Sequence, residues 1–136
     1  MADAPRLKVS GLRRSVGDKQ AVNDVGFSVA AGDVLCLLGQ SGCGKSTTLR
    51  MVAGVEAPDA GAIAIDGVEM LSASTNLPPE KRPIGLMFQD FALFPHLNVE
   101  RNVAYGMKGK KAAKSGRVAD LLRRVGLSDF ADAYPH

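Results

Sequence analysis

Nine residues, Gly39-Gln40-Ser41-Gly42-Cys43-Gly44-Lys45-Ser46-Thr47, fit the pattern G-x-x-x-x-G-K-[ST]. That pattern predicts a loop whose backbone N–H groups close around a chain of phosphates. Gly39, Gly42 and Gly44 permit left-handed backbone and turn those N–H groups inward. Lys45 is placed to reach the β- and γ-phosphates, and the Ser46 hydroxyl to meet Mg²⁺. The flanks agree. Asp33-Val34-Leu35-Cys36-Leu37-Leu38 reads as a strand buried on both faces of a parallel sheet. Residues 45–53 read as a helix packing Leu49, Met51, Val52 and Ala53, with Gly54 as its stop and Pro58 just beyond. A helix N-terminus thus points its partial positive charge at the triphosphate. The firmest expectation is nucleotide binding.

Composition removes several alternatives. Seventeen basic against fourteen acidic residues in 136 give a formal charge of +3, too mild and too dispersed for a nucleic-acid partner. Arg13-Arg14 and the basic cluster at 108–114 read as solvated surface. No apolar run is long enough to cross a bilayer, and the first six residues lack the apolar core of a signal peptide. Cys36 and Cys43 make neither a zinc pattern nor a disulfide framework, which fits a reducing cytosol. Cys36 is expected in the core. Cys43 sits at a helix N-terminus, a position that favours a reactive thiol.

Around the loop, residues 7–10 and 21–29 alternate as strands, with Val16-Gly17-Asp18 a turn between them and Val25, Phe27 and Val29 on one face. Residues 61–67 form another short strand with a Gly-bounded turn. These flanking strands look antiparallel, so together with the nucleotide unit they suggest a mixed sheet arrangement. A polar, Pro-rich connection over 72–83 leads to a second apolar strand, Ile84–Phe88, ending at Gln89-Asp90. Beyond it the period turns helical. Asn98 is set to cap a helix through Met107, and Val118, Leu121, Leu122 and Val125 share one helix face with Gly126 as a stop.

Residues downstream of the loop narrow the class of phosphate-loop protein. Neither N-K-x-D nor D-x-x-G occurs, which removes a guanine-reading switch, and an antiparallel strand and a turn follow the loop where a small-molecule kinase would place helices and Arg-rich lid segments. Arg82-Pro83-Ile84-Gly85-Leu86-Met87-Phe88-Gln89-Asp90, then Phe91-Ala92-Leu93-Phe94-Pro95-His96-Leu97-Asn98-Val99 and Glu100-Arg101-Asn102-Val103-Ala104-Tyr105-Gly106, closely resemble the ATP-binding subunit of ABC transporters. So do the phosphate loop with Thr47-Thr48-Leu49-Arg50 and the run from Ala53 to Gly61. The resemblance covers nearly the whole chain.

It implies an α/β fold: a P-loop NTPase (RecA-like) core with an antiparallel β subdomain over 1–89, and the start of a helical subdomain over 90–136. It also implies ATP and Mg²⁺ as cofactors, with residues 39–47 gripping the triphosphate, Lys45 and Gln89 in the catalytic centre, and Ser46 and Gln89 serving the metal. Gln89 would further link the γ-phosphate to the helical subdomain. The apolar stretch Phe91–Leu97 would meet membrane-spanning permease subunits. A second ATP-binding subunit and, indirectly, a periplasmic solute-binding protein complete the implied partners. The implied location is the cytoplasmic face of the inner membrane. Leu-Pro-Pro-Glu-Lys-Arg-Pro and Phe-Ala-Leu-Phe-Pro-His look like importers, with ferric-iron importers nearest through Thr75-Asn76-Leu77-Pro78, and polyamine, sulfate and sugar importers behind.

Two departures stand out. Where the family places an aromatic ring to stack on adenine, this sequence has Val16, which forfeits stacking on the order of 1 kcal/mol. The second concerns the cleaving half of the site. The 136 residues contain no Leu-Ser-Gly-Gly-Gln signature, Asp-terminated strand, adjacent catalytic Glu or switch His of that pattern. They are therefore expected to be the N-terminal part of a longer ATPase subunit, binding ATP without hydrolysing it, and leaving strand edges beside the loop uncovered.

Overall fold

A computed structural model describes residues 5–108 and 111–136, with the side chains of 111–115 left aside. Among the described residues are four strands, β1 Leu7–Val16, β2 Lys19–Val29, β3 Ala60–Ile65 and β4 Val68–Leu71, and three α-helices, α1 Lys45–Ala53, α2 Val99–Ala104 and α3 Lys111–Arg124. Two compact units emerge, Met1–Met87 and Phe88–His136.

In the first unit the four strands form one sheet in the order β2-β1-β3-β4, every pair antiparallel. The expectation of a mixed sheet is corrected among the described residues. β1 is longer than expected because its hairpin partner runs alongside it to Val16↔Lys19. β4 was not foreseen. Its signal is Asp66-Gly67, both at positive φ (48° and 75°), the two-residue turn whose twist matches that of the strands it joins. Inward-facing Val9, Leu12, Val22, Ile63, Ile65, Met70 and Leu71 meet Met51 and Val52 of α1 in a single core. Val25 and Phe27 pack at its edge, as their alternation predicts.

The two expected apolar strands are not in any ladder. Residues 33–38 and 84–88 carry no strand pairing, and Val34 and Leu38 are 89% and 91% exposed. Cys36, expected in the core, is exposed as well. The cause is the lack of a partner. A buried strand requires neighbours for its N–H and C=O groups, and the described residues supply none to these segments. Leu37, Ile84 and Leu86 are half-buried.

The second unit is built on α2 and α3. Asn98 caps α2 as predicted, its Oδ1 accepting from the Arg101 N–H at 2.9 Å, though the helix stops at Ala104 rather than Met107. Asn102 fastens the preceding loop: its Oδ1 accepts from the Phe94 N–H at 2.9 Å, and its Nδ2 faces the Leu97 carbonyl at 2.9 Å. Val118 and Leu122 are buried, Leu121 half-buried, and Val125 is exposed at the helix end, where Gly126 turns the chain with φ 72°. The basic cluster at 108–114 lies largely outside the described residues.

Candidate nucleotide site

The loop at 39–47 opens directly into α1, whose cap is Gly44 in left-handed conformation (φ 92°, ψ 5°). Gly44 is required twice over. Its φ suits glycine alone, and a Cβ there would collide with the Ala21 carbonyl oxygen on β2. Gly42 is also left-handed, at φ 79°, but faces open space. Gly39 does not take positive φ, which corrects the expectation for that position. Its role is room: a Cβ would lie 2.6 Å from Cys43 Sγ and 3.9 Å from Lys45 Nζ, inside the curl of the loop.

Lys45 Nζ spans that curl. It donates to the carbonyl oxygens of Gly39 and Gln40, both at 2.7 Å, and lies 3.3 Å from the exposed Cys43 sulfur. Backbone carbonyls thus hold an ammonium at the loop's centre, and no carboxylate among the described residues neutralises it. The first turn of α1 carries no acidic residue and no side-chain cap, leaving its N–H groups and the helix's positive pole available to an anion. Gln40, Ser41, Gly42 and Ser46 are exposed around it, with Thr47 half-buried. Thr48 is buried and ties the cap to the helix, its Oγ1 donating to the Gly44 carbonyl at 2.9 Å. It takes the inward place expected for Leu49, which is 49% exposed.

These features fit a triphosphate: a loop opened by three glycines, a central ammonium and unclaimed N–H donors. A magnesium ion has less to hold it. Ser46 offers one hydroxyl, and no cluster of three acidic, His or Cys side chains occurs among the described residues. Such an ion would take its other ligands from phosphates and water, as Mg²⁺ commonly does.

At the other expected corner, Val16 ends β1 at the hairpin tip, 59% exposed. The same hairpin's second strand brings Ala21 and Val22 against Gly44, so the tip and the loop belong to one packed piece. Gln89 stands in a bend, exposed, in the second unit.

Sequence reasoning missed two side-chain clusters. Arg82, inside the polar connection, is buried to 5% exposure and spends its guanidinium on α1. Nη1 donates to the carbonyls of Met51 and Val52 at 2.9 Å each, Nε to Leu77 O at 2.8 Å, and Nη2 to Asn76 Oδ1 at 3.0 Å. This places a cation on the negative end of the loop helix. Burial pushes the Arg82 pKa down from its ordinary value, yet an arginine stays charged. The second cluster joins Arg14 to Glu56 and Asp59, both at 3.1 Å. One signal was present in the sequence: an Asp directly after Pro58 at the entry to a strand.

The family model described as ABC transporter matches residues 22–136. The chain belongs to the ABC transporter family. Among similar ABC proteins are the putrescine transport ATP-binding protein PotG of Escherichia coli, 45% identical over 97% of this chain and 35% of its own. The spermidine/putrescine import ATP-binding protein PotA of Chromobacterium violaceum is 47% identical over 96% of this chain and 36% of its own. The Fe(3+) ions import ATP-binding protein FbpC of Haemophilus influenzae is 40% identical over 100% of this chain and 40% of its own. The chain thus spans little more than a third of the length of these relatives. The expected preference for ferric-iron importers is not singled out, since polyamine relatives are at least as similar. Among solved structures, the fold matches that of the ATP-binding cassette MJ0796, a dimer in a post-hydrolysis state bound to ADP and Pi. Its TM-score is 0.77 at 24% identity, covering 95% of this chain and 61% of that one. The fold is therefore that of an ABC ATPase, α/β with a phosphate loop, of which the antiparallel sheet and the few helices form part. No helix among the described residues is long and apolar enough to cross a membrane.

Proposed function

We propose that these residues are the nucleotide-gripping part of an importer's ATP-binding subunit, with polyamines or ferric iron as the solute class. The observation that carries this reading is Lys45 Nζ held by the carbonyls of Gly39 and Gln40 at the mouth of an uncapped helix. An entering triphosphate takes over the ammonium, and the N–H groups at the start of α1 bind its oxygens. Ser46 serves Mg²⁺, Thr47 supports the α-phosphate side, and Val16 packs on the adenine face. Gln89 acts at the metal or the attacking water, as the resemblance implies. In the intact subunit, hydrolysis drives import with permease subunits, a second ATP-binding subunit and, indirectly, a solute-binding protein. The place of action is the cytoplasmic face of the inner membrane. The domain division follows the same resemblance, with residues 1–89 the β and phosphate-loop portion and 90–136 the start of the helical portion.

A second reading is favoured for the 136 residues alone: binding without turnover, since no signature or catalytic Glu of the family pattern occurs in them. Calorimetric titration with Mg·ATP tests the first reading. Lys45→Ala is expected to weaken binding by about tenfold or more, as a charge-assisted phosphate contact is lost; equal affinities would overturn it. Phosphate release by the purified chain tests the second. None above background is expected, and release abolished by Lys45→Ala would refute it. Val16→Tyr should tighten ATP binding about threefold or more by restoring ring stacking; no change would remove Val16 from the base site.

A further inference from the structure

The second half of β1 is irregular. Register shifts against β2 fall between Val9 and Leu12, Leu12 and Arg14, and Arg14 and Ser15. Against β3 the pairing ends at Arg13↔Ala60. Bulges of this kind re-aim a strand and are frequent next to functional sites. Here the strand leaves its β3 neighbour three residues before Val16.

Asp59 continues the ladder where β3 does not reach. Its N–H donates to the Arg13 carbonyl at 2.8 Å, and its Oδ2 accepts from the Ser15 N–H at 2.6 Å. A side chain thus stands in for a strand residue. Arg14 braces it, with Nη1 donating to Asp59 Oδ1 and Nε to Glu56 Oε1, both at 3.1 Å. Glu56 belongs to the turn that closes α1, its N–H directed at the Arg50 carbonyl at 3.3 Å. One continuous set of bonds therefore runs from the end of the phosphate-loop helix to the residue beside Val16. The same strand is fixed near its middle by Gly61, where a Cβ would come within 2.8 Å of the Leu12 Cα.

We propose that Asp59, braced by Arg14 and Glu56, is a positioning residue for the base end of the nucleotide, setting the Ser15–Val16 backbone against the phosphate loop. This rests on Val16 as the adenine contact. It assigns to the clamp an effect on the nucleoside alone, because Asp59 touches nothing in the loop 39–47. Inorganic tripolyphosphate carries the phosphates without the base, so it separates a positioning role from a merely structural one.

The test is calorimetry of the 136-residue chain with Mg·ATP and Mg·tripolyphosphate. The unaltered chain should bind ATP more tightly. Asp59→Ala should weaken ATP binding about fivefold while tripolyphosphate stays within about twofold, the scale of one lost hydrogen-bond cluster. Asp59→Asn keeps an oxygen for the Ser15 N–H and should restore most of the loss. Arg14→Gln gives the same contrast should Asp59→Ala fold poorly. Parallel loss of both ligands would overturn the proposal in favour of a structural clamp, as would unchanged ATP binding in Asp59→Ala. ATP no tighter than tripolyphosphate in the unaltered chain would overturn it by removing the base contact. Binding of neither ligand would instead refute the phosphate-loop reading, and this inference with it.

Discussion

Residues 33–38 and β1 are both apolar segments of the first unit, yet they end in opposite surroundings. β1 lies between β2 and β3, and its Leu12 is fully buried. The segment before the phosphate loop has more consecutive apolar residues than β1, and its Leu38 is 91% exposed. Hydrophobicity is therefore not what separates them. β1 finds partners within reach of short turns: Gly17-Asp18 delivers β2, and β3 returns antiparallel. A parallel core strand needs a neighbour brought by a longer crossover. Segment 33–38 has none among the described residues. The phosphate loop is shaped nonetheless, because Gly44 rests on Ala21 of β2 and Lys45 closes on its own backbone.

Hydrogen exchange gives the largest expected contrast. Amides of β1 at Val9 and Leu12 should be protected near the global limit, while those of Val34–Leu38 exchange as solvated backbone. Equal protection would break the comparison. Next in size are paired truncations with urea unfolding as the readout. Leu12→Ala should cost about 2–5 kcal/mol, whereas Leu38→Ala should stay within about 0.5 kcal/mol. A large loss at Leu38 would mean that this segment is buried in solution. Arg82→Met should cost about 2–3 kcal/mol, leaving the Val52 and Leu77 carbonyls without their donor. Arg82→Lys should recover only part of this, since one ammonium does not reproduce a planar fork.

The smallest effect is a pH dependence. The Ser15 N–H above all holds the Asp59 carboxyl below its ordinary value; desolvation, next in size, opposes it, and Arg14 adds to the lowering. A depressed folded-state pKa contributes stability above the unfolded value, about 3.9, and loses it as pH falls through the folded value. The melting temperature should thus change little through Asp59 from pH 7 to about 5 and fall below about 4. Asp59→Asn should flatten that acid limb; an unchanged limb would detach Asp59 from it.

What the sequence made legible was local. The bounds of α1, the Gly54 stop and the Asn98 cap each depend on contacts within a few residues, and the phosphate loop announces itself by its own nine residues although Gly44 also leans on Ala21 of β2. The strands at 33–38 and 84–88 were misjudged because burial of a strand is decided by other strands, and periodicity cannot tell whether one arrives. β4 was missed because Val68-Glu69-Met70-Leu71 is too short for a pattern, though Asp66-Gly67 marked the turn before it. Arg82 was hidden by composition. An arginine between Lys81 and Pro83 reads as surface, and only the fold reveals that its fork adds to the Gly54 cap at the end of α1 and supplies the Val52 carbonyl with a donor.

Gly54 and Arg82 fit so closely that neither is free to change alone. A Cβ at Gly54 would stand 2.6 Å from the Arg82 Nε, and the φ of 82° already suits glycine. Gly54 is thus held twice, by its own φ and by Arg82, so loss of the arginine would not release it. The end of α1, with Val52, Ala53 and Arg82 all buried, carries the mutational intolerance of a core.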